Sequence, residues 1–145
     1  MSFWNFLFGK NRITTIQDEF FGEIRDCKGH FEGKKYFKST NSEIEIFIPN
    51  DTIQTFHSSF FQDLEEKYES LKMPLKENFE GDFLKNMDEN FEIKDFDKEF
   101  TLTFISFPES ENSEWDLSYD TIHDKNHIFT GHFNNWQLEY VNIDG

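Results

Sequence analysis

SEIEIFIPNDTIQTFHSSFFQDLEEKYESLK, residues 42–72, changes its hydrophobic period partway along, and that change sets the fold class. In the first part Ile44, Ile46 and Ile48 alternate with Glu43, Glu45 and Phe47. Alternation of β-branched residues at period two marks a half-buried strand. Pro49-Asn50-Asp51-Thr52 stops it and offers Asp51 or Thr52 as a helix N-cap. From Ile53 onward Phe56, Phe60, Leu64 and Tyr68 recur at four-residue steps, flanked by Phe61 and Leu71 and backed by Asp63, Glu65, Glu66 and Lys67. That spacing predicts an amphipathic helix ending near Lys72.

Further along, Pro74 allows a second helical segment to start, with Leu75, Phe79, Phe83, Leu84 and Met87 as its apolar face. Asp88 to Lys98 is polar and reads as a connection. Phe100, Leu102 and Phe104 then alternate with Thr101, Thr103 and Ile105, and Pro108 to Ser113 is rich in turn residues. Trp115, Leu117 and Tyr119, then Ile128 to Phe133, then Trp136, Leu138 and Tyr140 predict a carboxyl-terminal meander. Before residue 42, Glu19 to Arg25 and Phe31 to Phe37 are short aromatic stretches broken by Gly22, Gly29 and Gly33, as strands joined by a turn would be. The expected fold is therefore α+β: an antiparallel sheet of about six or seven strands with one or two helices inserted in the middle and packed on one face.

A chain of 145 residues falls in the single-domain range and buries roughly two thirds of the surface its unfolded form exposes. Its core is built from phenylalanine, of which there are 20, so a negative mean hydropathy is compatible with a packed interior. Residues 13–145 read as one α+β domain. Residues 1–12 read as an aromatic leader, since Phe3, Trp4, Phe6 and Phe8 precede the first cations, Lys10 and Arg12. It has no basic n-region or long apolar stretch, and so is a poor signal peptide and too short to span a bilayer. It reads better as a hook packed on protein than as a membrane anchor.

The formal net charge is -15, from 29 acidic against 14 basic side chains interspersed with hydrophobic ones. Such a surface repels nucleic-acid phosphates and anionic lipid and attracts basic protein. With Cys27 the only cysteine, an intramolecular disulfide is excluded, and the expected compartment is the reduced cytoplasm. Cys27 itself reads as a bystander. His123, His127 and His132, with Asp120 and Asp124, match no metal-ligand template, and their expected role is structural. Phosphate-loop, nucleophile-elbow and dinucleotide fingerprints are missing. The reading assigns no catalytic residue, cofactor or metal. A hydrolase using His132 with a nearby carboxylate, its metal held by His123 or His127, is the enzyme alternative. A membrane module docked by Phe3, Trp4, Phe6 and Phe8 is the other.

Phe31-Glu32-Gly33, the isoleucine-rich strand, the helix and the meander with Phe129-Thr130-Gly131-His132 and Ile143-Asp144-Gly145 together resemble bacterial domains of unknown function associated with toxin–immunity systems. That resemblance implies an immunity-like protein that neutralises a toxin by occluding it, and supplies no catalytic residues to carry over. The candidate contacts for a basic toxin are Asp63, Glu65, Glu66 and Glu69 on the helix, and Glu109, Glu111, Glu114 and Asp116 with Trp115 in the meander.

Overall fold

The computed structural model describes residues 13–144, so the aromatic leader and its proposed hook lie outside the described residues. Four strands, β1 (Thr14–Asp18), β2 (Gly22–Asp26), β3 (Phe31–Phe37) and β4 (Ser42–Ile48), precede a long helix, α1 (Thr55–Asn86). A single turn, α2 (Phe96–Glu99), leads into β5 (Phe100–Ser106), β6 (Glu114–Thr121), β7 (Asp124–Asn134) and β8 (Gln137–Asp144). All eight strands form one sheet whose spatial order follows the chain from β1 to β8.

Neighbouring strands are antiparallel except β4 and β5, which run parallel with Glu45, Ile46 and Phe47 opposite Phe104, Ile105 and Ser106. The sheet is thus mixed, and its eight strands exceed the anticipated six or seven. The parallel pair follows from α1. A parallel neighbour requires a crossover that returns the chain along the sheet, and 32 helical residues span about 48 Å.

Helix α1 runs on as one element past Lys72, where the expected first helix ends, and takes in the second segment expected from Pro74. Phe60, Phe61, Leu64, Tyr68, Leu71, Leu75, Phe79 and Phe83 form one buried stripe running through Pro74. Proline removes a single backbone donor, and burial of Leu71 and Leu75 on either side keeps the helix continuous. The start also differs from expectation, because Gln54 rather than Asp51 or Thr52 occupies the cap position. His57 fixes that start: its Nδ1 accepts the Gln54 N–H at 2.9 Å, and its Nε2 lies 3.0 Å from Asn50 Oδ1. Since Nδ1 accepts, Nε2 carries the proton and donates to Asn50. Burial pushes the His57 pKa down, in keeping with a neutral ring.

One sheet face is covered by α1 through Ile24, Phe37, Ile44, Ile46, Ile48, Leu102, Ile105, Leu117, Tyr119, Phe129 and Phe133, all buried. Asp88 to Lys98, expected to be a plain connection, is pinned to this core by buried Ile93 and Phe96 and by Phe91 stacked 4.3 Å from Phe83. Between helix and sheet the hydroxyls of Tyr68 and Tyr119 meet at 2.7 Å. Replacing Tyr119 by Phe leaves the buried Tyr68 hydroxyl without this partner and is expected to cost about 1–3 kcal/mol, whereas replacing both should be nearly neutral. A double-mutant cycle by urea denaturation measures this, and additive costs would contradict it.

The strand register lays the opposite face out in rows. One row crosses Arg25, Glu32, Phe47, Ser106, Asp116, His132 and Tyr140. No helix covers this face among the described residues, and Tyr36, Ile128 and Tyr140 are exposed on it. Also among the described residues, no helix is long and apolar enough to cross a membrane.

Candidate functional site

The nine acidic and aromatic candidates separate into groups. Glu65 is committed within the chain: its Oε2 accepts the Lys38 N–H at 3.0 Å and its carbonyl accepts from Ser39 Oγ. Glu69 holds Lys72 at 2.7 Å, and Lys72 also reaches Asp97 at 2.9 Å. Glu66 is exposed and borders a groove with Asp63, Lys35 and Lys38. Glu109, Glu114 and Asp116 line a depression beside Ser113 and His132.

Asp63 and Glu111 come together. They line a cleft of ≈ 180 Å³ whose apolar surface is Phe56, Phe60, Trp115 and Trp136. Three chain segments build it. Helix α1 presents Phe56, Phe60 and Asp63 at the three- and four-residue spacing that places them on one side. The loop between β5 and β6 carries Glu111, with Asn112 turning in the left-handed region at φ 62. The two-residue turn between β7 and β8 supplies Asn135, left-handed at φ 56, and Trp136.

Trp115, named among the candidate contacts, is buried. It is 3% exposed, stacks on Phe133 at 4.3 Å and donates its indole N–H to the Asn135 carbonyl. It forms the back wall of the cleft. The accessible indole is Trp136, which was expected to alternate with Leu138 and Tyr140 along a strand. It sits instead in the turn and stacks on Phe60 at 5.5 Å. A bulge opposite His132 and Phe133 then sends Tyr140 to the far face while Leu138 packs toward the core.

The cleft sets aromatic rings beside two carboxylates. Aromatic faces attract ammonium and guanidinium groups, and the Asp63 and Glu111 carboxylates add charge of the right sign. Outside the cleft lining, the chain's own Lys67 lies 4.3 Å over the Trp136 ring. At ≈ 180 Å³ the cleft is smaller than the roughly 300–1,000 Å³ typical of small-molecule sites and suits the head of a single side chain.

The histidines named with Asp120 and Asp124 do not assemble into one site. His123 Nε2 contacts Glu99 at 2.6 Å, His127 Nδ1 contacts Asp124 at 2.6 Å, and His132 Nδ1 contacts Asp116 at 2.7 Å. Each ring has its own carboxylate. His132 also meets Asn142 Oδ1 through Nε2 and stacks on Tyr140 at 4.3 Å. With Asn142 Nδ2 donating to Asp144, both His132 nitrogens face acceptor oxygens, so neither is directed at a nucleophile.

Comparison with protein-family models, with curated proteins and with solved structures finds no match to this chain.

Proposed function

We propose that this chain is an acidic protein-binding module whose cleft receives a lysine or arginine side chain of a basic partner. The observation supporting this is the convergence of Asp63 and Glu111, 48 positions apart in sequence, on one aromatic cleft closed by Trp115 and Trp136. A net charge of -15 steers a basic protein toward it and repels nucleic acid. Glu109, Glu114 and Asp116, across Trp115 from the cleft, extend the acidic contact. In the extended reading the module is a cytoplasmic bacterial immunity protein and the partner a toxin domain that it occludes, as the sequence resemblance implies.

The test is a pull-down from native lysate at low and high salt, using the wild-type chain and an Asp63→Asn, Glu111→Gln double variant. The expected result is one stoichiometric basic protein, released by salt and toxic when expressed alone. The double variant should bind it at least about tenfold more weakly, equivalent to about 1.4 kcal/mol. Recovery of nothing from a lysate containing the neighbouring gene products, or equal capture by the double variant, would sink the proposal.

A further inference from the structure

The hairpin between β2 and β3 brings together three side chains that the cleft does not use. Its two central residues, Lys28 and Gly29, are left-handed at φ 60 and 124, as tight hairpin turns demand. The Cys27 N–H donates to the His30 carbonyl at 2.9 Å, closing the turn. Arg25 lies opposite Glu32 in the ladder, and the turn hydrogen bond sets Cys27 and His30 across from each other just beyond it.

All three potential ligand atoms converge. His30 Nε2 lies 3.2 Å from Glu32 Oε2, Cys27 Sγ lies 3.8 Å from that same oxygen, and the three atoms fall within 4.8 Å of one another. Zinc bonds of about 2.0–2.3 Å to nitrogen, oxygen and sulfur set tetrahedral N···O and S···O edges of roughly 3.3–3.7 Å. Both observed edges lie close to those values. Cys27 and Glu32 are buried, and Glu32 Oε1 is held at 2.8 Å by Arg25, which leaves Oε2 directed at the other two. The His30 ring is itself steadied by stacking on Phe47 at 4.9 Å. This is the one group of three or more His, Cys, Asp or Glu side chains with metal-ligand spacing among the described residues.

From this geometry we infer that Cys27, His30 and Glu32 form a binding site for one zinc-class divalent cation, with a fourth position open to water or to a donor from a partner. Thiolate and carboxylate together balance the charge of the ion, and imidazole supplies the neutral ligand. Arg25 acts from outside the ligand set, orienting Glu32. Metal binding displaces the thiol proton: Zn²⁺ and the Cys27 S–H give a Zn–S bond and a released H⁺. A dication between thiolate and carboxylate turns their mutual repulsion into attraction to the ion. The inference does not depend on the cleft or on the identity of any protein partner.

The test uses the full chain, stripped with chelator and reloaded with zinc, and separately with cobalt. Expected are one zinc per chain by mass spectrometry, proton release on titration, and a thiolate-to-cobalt charge-transfer band in the near ultraviolet. Cys27→Ser should abolish that band. His30→Gln, at a partly exposed position, should weaken zinc by more than the roughly tenfold to hundredfold cost of losing an outer-shell partner. Lys28→Ala should leave binding unchanged. Substoichiometric zinc in the wild type, absence of the charge-transfer band, or equal affinity in folded His30→Gln would each overturn the assignment. If Cys27→Ser fails to fold, the wild-type band and His30→Gln decide the matter.

Discussion

An alanine at position 79 is expected to lower the unfolding free energy by about 3–5 kcal/mol, the usual cost of emptying a buried phenylalanine site. Phe79 is fully buried on α1, and its ring lies 5.2 Å from Phe100, 5.5 Å from Phe129 and 5.9 Å from Tyr119. It therefore joins the helix to β5, β6 and β7 at once. With small domains stable by about 5–15 kcal/mol, the loss is a large share of the total. Urea denaturation followed by circular dichroism measures it, and the midpoint should fall with little change in slope. A loss below about 1 kcal/mol would mean that the aromatic cluster is not the core contact described, because a void of that size is not cheaply refilled.

The second large effect is expected from Gly131→Val. Gly131 faces α1, and a β-carbon placed there would lie 2.4 Å from Leu75 Cδ2, 3.2 Å from Phe133 Cε2 and 3.3 Å from Leu138 Cδ1. Its glycine is required by close approach rather than by a left-handed backbone, since it is not among the positive-φ residues. Leu75 is itself fully buried, so its methyl can yield only by shifting against its neighbours in the core. A cost of about 3 kcal/mol, at the upper end for overpacking, should follow. Combining the change with Leu75→Ala should cost less than the sum of the two single changes. Simple additivity in that cycle would show that the helix does not meet the sheet at Gly131.

The elements that could be read from sequence were those in which one force dominated. Ile44, Ile46 and Ile48 alternate because β4 is buried on one face only, and the predicted strand, 42–48, coincides with the observed one. The stripe from Phe60 to Phe83 announced a helix, but Pro74 suggested a break that continuous burial overrides. β1 was missed because Thr14–Asp18 contains one apolar residue, Ile16, and the strand owes its existence to pairing with β2. The parallel seam was invisible, since strand direction depends on where the helix delivers the chain. At the cleft, the charge of Asp63 and Glu111 was legible while their proximity was not. Trp136 reads as a strand residue because alternation with Leu138 disguises its place in the turn. The Cys27 cluster leaves a signal, a Cys-x-x-His pair spanning the Lys28-Gly29 turn with Glu32 two residues on, but the pairing of Cys27 with His30 depends on a tight turn that sequence alone does not fix.

The lone parallel seam between β4 and β5 also has a kinetic consequence. Each four-strand half joins neighbours close in sequence, so both halves can form early from local contacts. Only the seam demands that distant segments meet, with residues 49–99 ordered between them, and the loop-closure cost of that event comes before its reward. Until it happens, the inner edges of both halves expose unpaired backbone at their most apolar strands. That interval, before the halves dock, is when the chain is most exposed to aggregation.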